Sequence, residues 1–386
     1  MTKITVRRLV WGFFFCLLLF SLLTPSASAE EQGNLEKLPE AYKDFLEKLP
    51  SPLLERLPEG ALSDNAAEVG GAVGEMSSFS FLLQTVLSLV GLRLRDCLGL
   101  LCTTIGILIL SSVCRTFCAS LKKPEIARAF SLMITLVITL TIFATGFGTI
   151  ASTVSYFHTL NTFTSAAVPL MGGLYVMGGN AAAAVATSAG LSLFMTVLEE
   201  IVGQSIVPFC GICLALALIG ACEGSPRLGG ISASLKKNYT LMLSFFMMLL
   251  LAMLSSQTIL GASKDTLAMR SAKFAAGSMI PVVGGSVAEL LRSVSAGVGY
   301  MRTAVGICGV LLLLLLMLPT LVELLLARAT WQICAFFAEI LGCDGEKRLL
   351  DEFASINGYL IAAVAICSSV LFLTFTLFTH CATALA

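Results

Sequence analysis

Glu289 and Arg292 stand three residues apart, a spacing that puts two side chains on one face of a helix, and Arg302 follows ten residues on. Ionisable groups inside a bilayer are costly and persist mainly where they pair or line a pathway, so this trio is a candidate set of intramembrane charges, with Glu323 as a fourth member. Glu199 and Glu200 close another apolar stretch. For Arg328 and Glu339 the expected place is the interface, with the charged head in water and the stem along apolar surface.

Backbone carbonyls offer a second chemistry. Proline has no N–H, so it deprives a helical carbonyl of its donor, and glycines beside it loosen the helix. Two segments carry this pattern: Pro169 with Gly172 and Gly173, and Pro281 with Gly284 and Gly285. Both are candidate broken helices or gate elements, since an unpaired backbone group in hydrocarbon survives only against protein or water. A proline-kinked packing helix, with glycines for close approach, is the competing reading.

These groups need membrane helices to position them. Of 386 residues, 57% are hydrophobic and 12% charged, against about 25% charged in ordinary soluble domains. No Asp, Glu, Lys or Arg occurs in 129–198, 201–222, 238–263, 303–322 or 353–386. At about 20 apolar residues per crossing, the chain reads as an all-α, polytopic membrane protein with roughly six to eight membrane-embedded helices. Residues 76–92 read as an interfacial or tilted helix, and Cys97 to Cys114 as a first span closed by Arg115, Lys122, Lys123 and Arg128.

Residues 1–29 read as a signal peptide: Lys3, Arg7 and Arg8 precede an apolar run that ends at Ala27-Ser28-Ala29. An uncleaved anchor helix is the alternative. Removing those three bases leaves 21 basic against 24 acidic residues, which argues against a nucleic-acid partner. Residues 30–75, with eleven acids and four bases, read as an acidic extracytoplasmic segment of short amphipathic turns, each stopped by a proline, and 76–386 as the transmembrane domain.

Enzyme chemistry finds little support. Cys210 and Cys213 have redox-motif spacing but lie in an apolar stretch where buried cysteine is ordinarily a packing residue. His158 and His380 are the only histidines, too few for a histidine-rich metal site, and no nucleophile has a base beside it. No phosphate-binding or dinucleotide loop is present. The expectation is no catalytic residue, no metal and no cofactor.

Ala119-Ser120-Leu121-Lys122-Lys123 returns as Ala233-Ser234-Leu235-Lys236-Lys237, and the two Pro-Gly segments follow at nearly the same offset. An internal repeat, about 119–230 and 233–345, is therefore a candidate, and it is parallel if both basic clusters face the cytoplasm. That topology puts 264–273, with Lys264, Arg270 and Lys273, in an outer loop against the usual charge bias.

The segment Arg270 to about Leu326, and above all Ala272-Lys273, Pro281-Val282-Val283-Gly284 and the span ending near Pro319, resembles the stage III sporulation protein AE family of endospore-forming Firmicutes. The resemblance extends over essentially the whole chain. It implies a multi-pass subunit in the mother-cell membrane around the forespore, within a channel or secretion-like complex that supports endospore formation and late forespore gene expression. The partners it implies are the lipid bilayer, other subunits of that complex including a cytoplasmic ATPase and ring-forming components, and a forespore protein across the intermembrane space. The family has no established catalytic residues to transfer. The chain then acts as a platform or export gate; a self-sufficient secondary transporter and a non-conducting scaffold are the alternatives.

Overall fold

The computed structural model describes residues 74, 76, 78–119, 124–223, 227–279 and 284–380. Among these there is no strand, and the fold is that of an all-α polytopic membrane protein. In chain order the helices are α1 (Phe79–Ala119), α2 (Pro124–Met177), α3 (Ala181–Val197), a π-helical turn (Leu198–Gly203), α4 (Ile206–Glu223), α5 (Arg227–Met279), α6 (Gly284–Ile340) and α7 (Asp344–His380). Among the described residues, five stretches are long and apolar enough to cross a membrane: Leu83–Phe117, Ala181–Glu200, Gly230–Ser256, Gly297–Ile340 and Asp344–Thr379.

The centre is the α6–α7 hairpin. The Leu-rich run 311–316 is almost wholly buried, as are most residues from Phe353 to Leu371, so over these stretches the two helices are enclosed nearly all round. Leu341-Gly342-Cys343 turns the chain between them, and Gly342 takes φ +69°, the left-handed geometry that glycine adopts at a helix C-terminus. Beyond the turn the helices run antiparallel in constant register: Trp331 stacks on Phe353, and Gly309 admits the Phe375 ring. Gly306 likewise lies under Thr379 and Phe378, where a Cβ would overlap the threonine methyl.

The remaining helices pack around this hairpin. α1 runs parallel to α6, since Arg93 meets Glu323 and Ser112 donates to the Leu341 carbonyl. α2 runs parallel to α7, through Thr149 with Asn357, Tyr156 with Ser368, and Phe163 with Phe375. α3, the π-helical turn and α4 lie antiparallel to α5. Gly190 receives Leu254 and Ser205 bonds Tyr239, so fifteen residues forward on one side match fifteen backward on the other.

Several local expectations differ from the structure. Segment 76–92 does not form a helix separate from the 97–114 span; Arg93, Arg95 and Asp96 lie within the single helix α1, because Arg93 finds a carboxylate on α6. Residues 264–273 are helical within α5 and form no loop. Helix α2 continues through Pro169, Gly172 and Gly173, so the expected break is not there. Pro169 is exposed, and losing one backbone bond does not end a 54-residue helix. The chain turns instead at Gly178-Gly179-Asn180, where Gly179 takes φ 78°. Pro281 lies outside the described residues, between the end of α5 at Met279 and the start of α6 at Gly284, while Gly284 and Gly285 open α6.

Candidate functional site

Three sets of buried polar groups interrupt the apolar interior, and each ties a peripheral helix to the central hairpin. The first lies where α1, α2, α6 and α7 meet. Glu323 follows Pro319 on α6, which continues helical past the proline. Its Oε2 takes Arg93 Nη2 at 3.1 Å and the Ser152 hydroxyl at 3.2 Å. The Glu323 side chain is 18% exposed and that of Arg93 49%, so the pair sits on the rim of the bundle with the acid inside.

One turn back along α2, Thr149 donates to Asn357 Oδ1 at 3.2 Å. Asn357 is buried, and its Nδ2 has no acceptor among the described residues. The next residue of α7, Gly358, leaves room for Arg328: a Cβ there would lie 2.8 Å from the guanidinium Nη1. Arg328 is half-buried, with its guanidinium packed where Gly358 has no side chain. Together Arg93, Glu323, Ser152, Thr149, Asn357 and Arg328 make a polar seam through apolar packing. Such groups survive in a bilayer when paired or facing a cavity.

The second set holds the charged end. Glu346, in the first turn of α7, is fully buried and takes Arg115 of α1 at 2.5 Å and the Ser111 hydroxyl at 3.0 Å. Acids in a first helical turn also face the positive end of the helix dipole. Glu352 takes Lys236 of α5 at 2.5 Å and a hydrogen bond from Ser232 on the same oxygen. Arg115 and Lys236, from the two basic clusters of the sequence, therefore lie at one end of the bundle. Helices α2 and α5, of 54 and 53 residues, both begin at that end. Glu339 is exposed and pairs with Lys347 at 2.7 Å across the hairpin turn.

Arg302 forms the third set, at the opposite end of the hairpin. It is 1% exposed, donates through Nη2 to the Phe378 carbonyl at 3.2 Å, and lies over the rings of Tyr175 (4.6 Å) and Phe378 (5.2 Å). Its Nε and Nη1 have no hydrogen-bond partner, and no carboxylate pairs with it among the described residues. Glu289 and Arg292 lie on α6 before it, and their side chains fall outside the described residues.

Glu323 and Arg302 were legible as isolated charges in apolar sequence, but their surroundings were not. Arg93, Asn357, Glu346 and Glu352 were missed altogether. Lys236 and Glu352 are 116 residues apart and Arg115 and Glu346 are 231 apart, so neither spacing nor periodicity signals the pairing. Among the described residues, no group of three or more His, Cys, Asp or Glu could hold a metal ion. Cys210 and Cys213 are buried free thiols beside the Lys236–Glu352 pair, a packing environment rather than an exposed electropositive one.

A family model described as stage III sporulation protein AE matches residues 71–382. A curated relative, stage III sporulation protein AE of Bacillus subtilis strain 168, is 23% identical over 218 residues, which is 56% of this chain and 55% of the relative. The chain thus spans about half the length of that relative. No solved structure matches.

Proposed function

The chain belongs to the stage III sporulation protein AE family, and from that premise we propose that it is the membrane platform and gate of a secretion-like sporulation complex in the mother-cell membrane around the forespore. The observation that supports a gate is the polar seam of Arg93, Glu323, Ser152, Thr149, Asn357 and Arg328 between the central hairpin and helices α1 and α2. A scaffold needs only apolar and small-residue packing between helices. A seam with a half-exposed ion pair and an unused amide donor offers a second arrangement, in which α1 parts from α6 and the same groups meet water or solute.

In this reading the energy comes from outside the chain, from a cytoplasmic ATPase partner. Ring-forming subunits and a forespore protein across the intermembrane space complete the conduit. The chain moves solute by repacking helices and has no catalytic residue. Its role is in endospore formation and late forespore gene expression.

Replacing Glu323 with Gln, and separately Arg93 with Gln, tests the proposal in sporulating cells. Co-purification with partner subunits reports assembly, while heat-resistant spore counts and a late forespore reporter report function. A gate predicts normal assembly with spore counts reduced at least about tenfold. Normal spore counts from both variants would favour a scaffold. Solute uptake by the purified chain alone in proteoliposomes would favour a self-sufficient transporter.

A further inference from the structure

Helix α1 is held to its neighbours by contacts of two kinds, and they divide along its length. Near its C-terminal end, Ser111 and Arg115 donate to the fully buried Glu346 of α7, and Ser112 donates to the Leu341 carbonyl in the hairpin turn. Leu108 and Ser111 are buried there beside the Cys343 thiol. Lifting this end would strand a buried carboxylate, which is strongly unfavourable.

Upstream, α1 reaches across with Arg93 to Glu323 and through weak thiol–hydroxyl contacts, Cys97 with Thr330 and Thr104 with Cys334. The Thr104 and Thr330 hydroxyls donate to the Leu100 and Leu326 carbonyls of their own helices, at 2.8 and 2.9 Å. Parting α1 from α6 here therefore leaves neither hydroxyl hydrogen unbonded. Every residue of 91–96 is exposed, so the helix stands off the bundle at that level and the Arg93 side chain spans the interval. A Cβ built on Gly91 or Gly99 would meet open space. Leu89, one turn before Arg93, is buried, but in hydrocarbon an apolar contact exchanges for lipid without the cost it would have in water. Arg93 is itself half-exposed, and exposed ion pairs contribute little.

We propose that α1 is a strap hinged at residues 111–115 and latched by Arg93 on Glu323. The stretch upstream of Leu108 swings away from α6 while the hinge holds, so the interface opens at the latch and stays shut at the hinge. The two ion pairs differ in the way this requires: the carboxylate at the hinge is fully buried and takes three groups from α1 and its own turn region, whereas the pair at the latch is half in solvent. For its purpose the strap rests on the gate reading, and it assigns control of the seam to the latch. Whatever neutralises Glu323 or competes for Arg93 releases the helix.

Distances between spin labels in the full chain, held in lipid nanodiscs, test the hinge. Leu92→Cys with Leu325→Cys straddles the latch, and Val113→Cys with Ile340→Cys straddles the hinge; all these positions are exposed, and the native cysteines are replaced by serine. Glu323→Gln should raise the longer-distance population at the latch about two- to fivefold, the factor an exposed ion pair carries, and leave the hinge distance unchanged. Arg93→Gln should do the same; it leaves the α6 side intact, so it keeps the proposal testable if Glu323→Gln folds poorly. A latch distance that stays single and unchanged in both variants would overturn the proposal, and so would a hinge distance that spreads as far as the latch. No solute takes part, so the result is separate from the spore counts. A moving latch with normal spores removes the gate and leaves the hinge, whereas a fixed latch removes the hinge whatever the spore counts show.

Discussion

The buried pair of Lys236 and Glu352 gives the sharpest quantitative test of the packing. The side chains are 7% and 11% exposed, with Nζ 2.5 Å from Oε1, so solvent screening is small. Removing one member of such a pair strands a buried charge and costs about 3–5 kcal/mol, whereas removing both can be neutral or stabilising. Lys236→Met and Glu352→Leu should each therefore lose about 3–5 kcal/mol of stability. The double variant should recover most of that loss. The Ser232 hydroxyl, which donates to Glu352, would then lack its acceptor and keep a residual cost of about 1–3 kcal/mol, so adding Ser232→Ala should restore near-wild-type stability. Equilibrium unfolding in mixed micelles titrated with denaturing detergent, followed by far-ultraviolet circular dichroism, measures each step of the cycle. Single variants that cost under about 1 kcal/mol, or a double variant equal to the sum of the singles, would refute the coupling.

Gly309→Ala should destabilise by about 1–3 kcal/mol, because the added methyl would overlap the Phe375 ring across the α6–α7 hairpin; Gly211→Ala, with open space around it, should be neutral or stabilising in the same unfolding assay. Gly342→Ala should cost about 1–2 kcal/mol through its left-handed backbone, and Gly342→Asn less, measured by thermal unfolding. Arg302→Met should leave the thermal midpoint unchanged or raised, since it replaces a buried guanidinium with two unsatisfied nitrogens by an apolar chain of similar length; a clear drop in midpoint would show that the cation–π and carbonyl contacts outweigh that burial.

The class of fold was legible because hydrocarbon imposes it: charge-free stretches near membrane length can only be helices here, and the helical segments follow them. Turn placement was less legible. Pro169 looked like the stronger interruption, but a proline on an exposed helix face removes one hydrogen bond, while Gly179 reverses the chain by adopting a backbone geometry closed to most residues. The polar seam was legible only in Glu323. Its partners Arg93, Ser152 and Asn357 come from three other helices, and local periodicity carries no information about contacts between distant helices. Gly358 shows the same limit: what it accommodates, the Arg328 guanidinium, appears only once α6 and α7 are laid side by side.

Synthesis imposes an order on these contacts. The two helices of the central hairpin meet within a few residues of each other, but Arg115 of α1 waits 231 residues for Glu346. At about 5–20 residues per second, that gap lasts about 12–46 s. During this interval α1 sits in or beside the bilayer with Arg93 and Arg115 uncompensated, dependent on water, lipid headgroups or an insertion factor. The final docking of α1 is thus a late and separable event in the birth of the protein, and the moment at which an unassembled chain is most open to quality control.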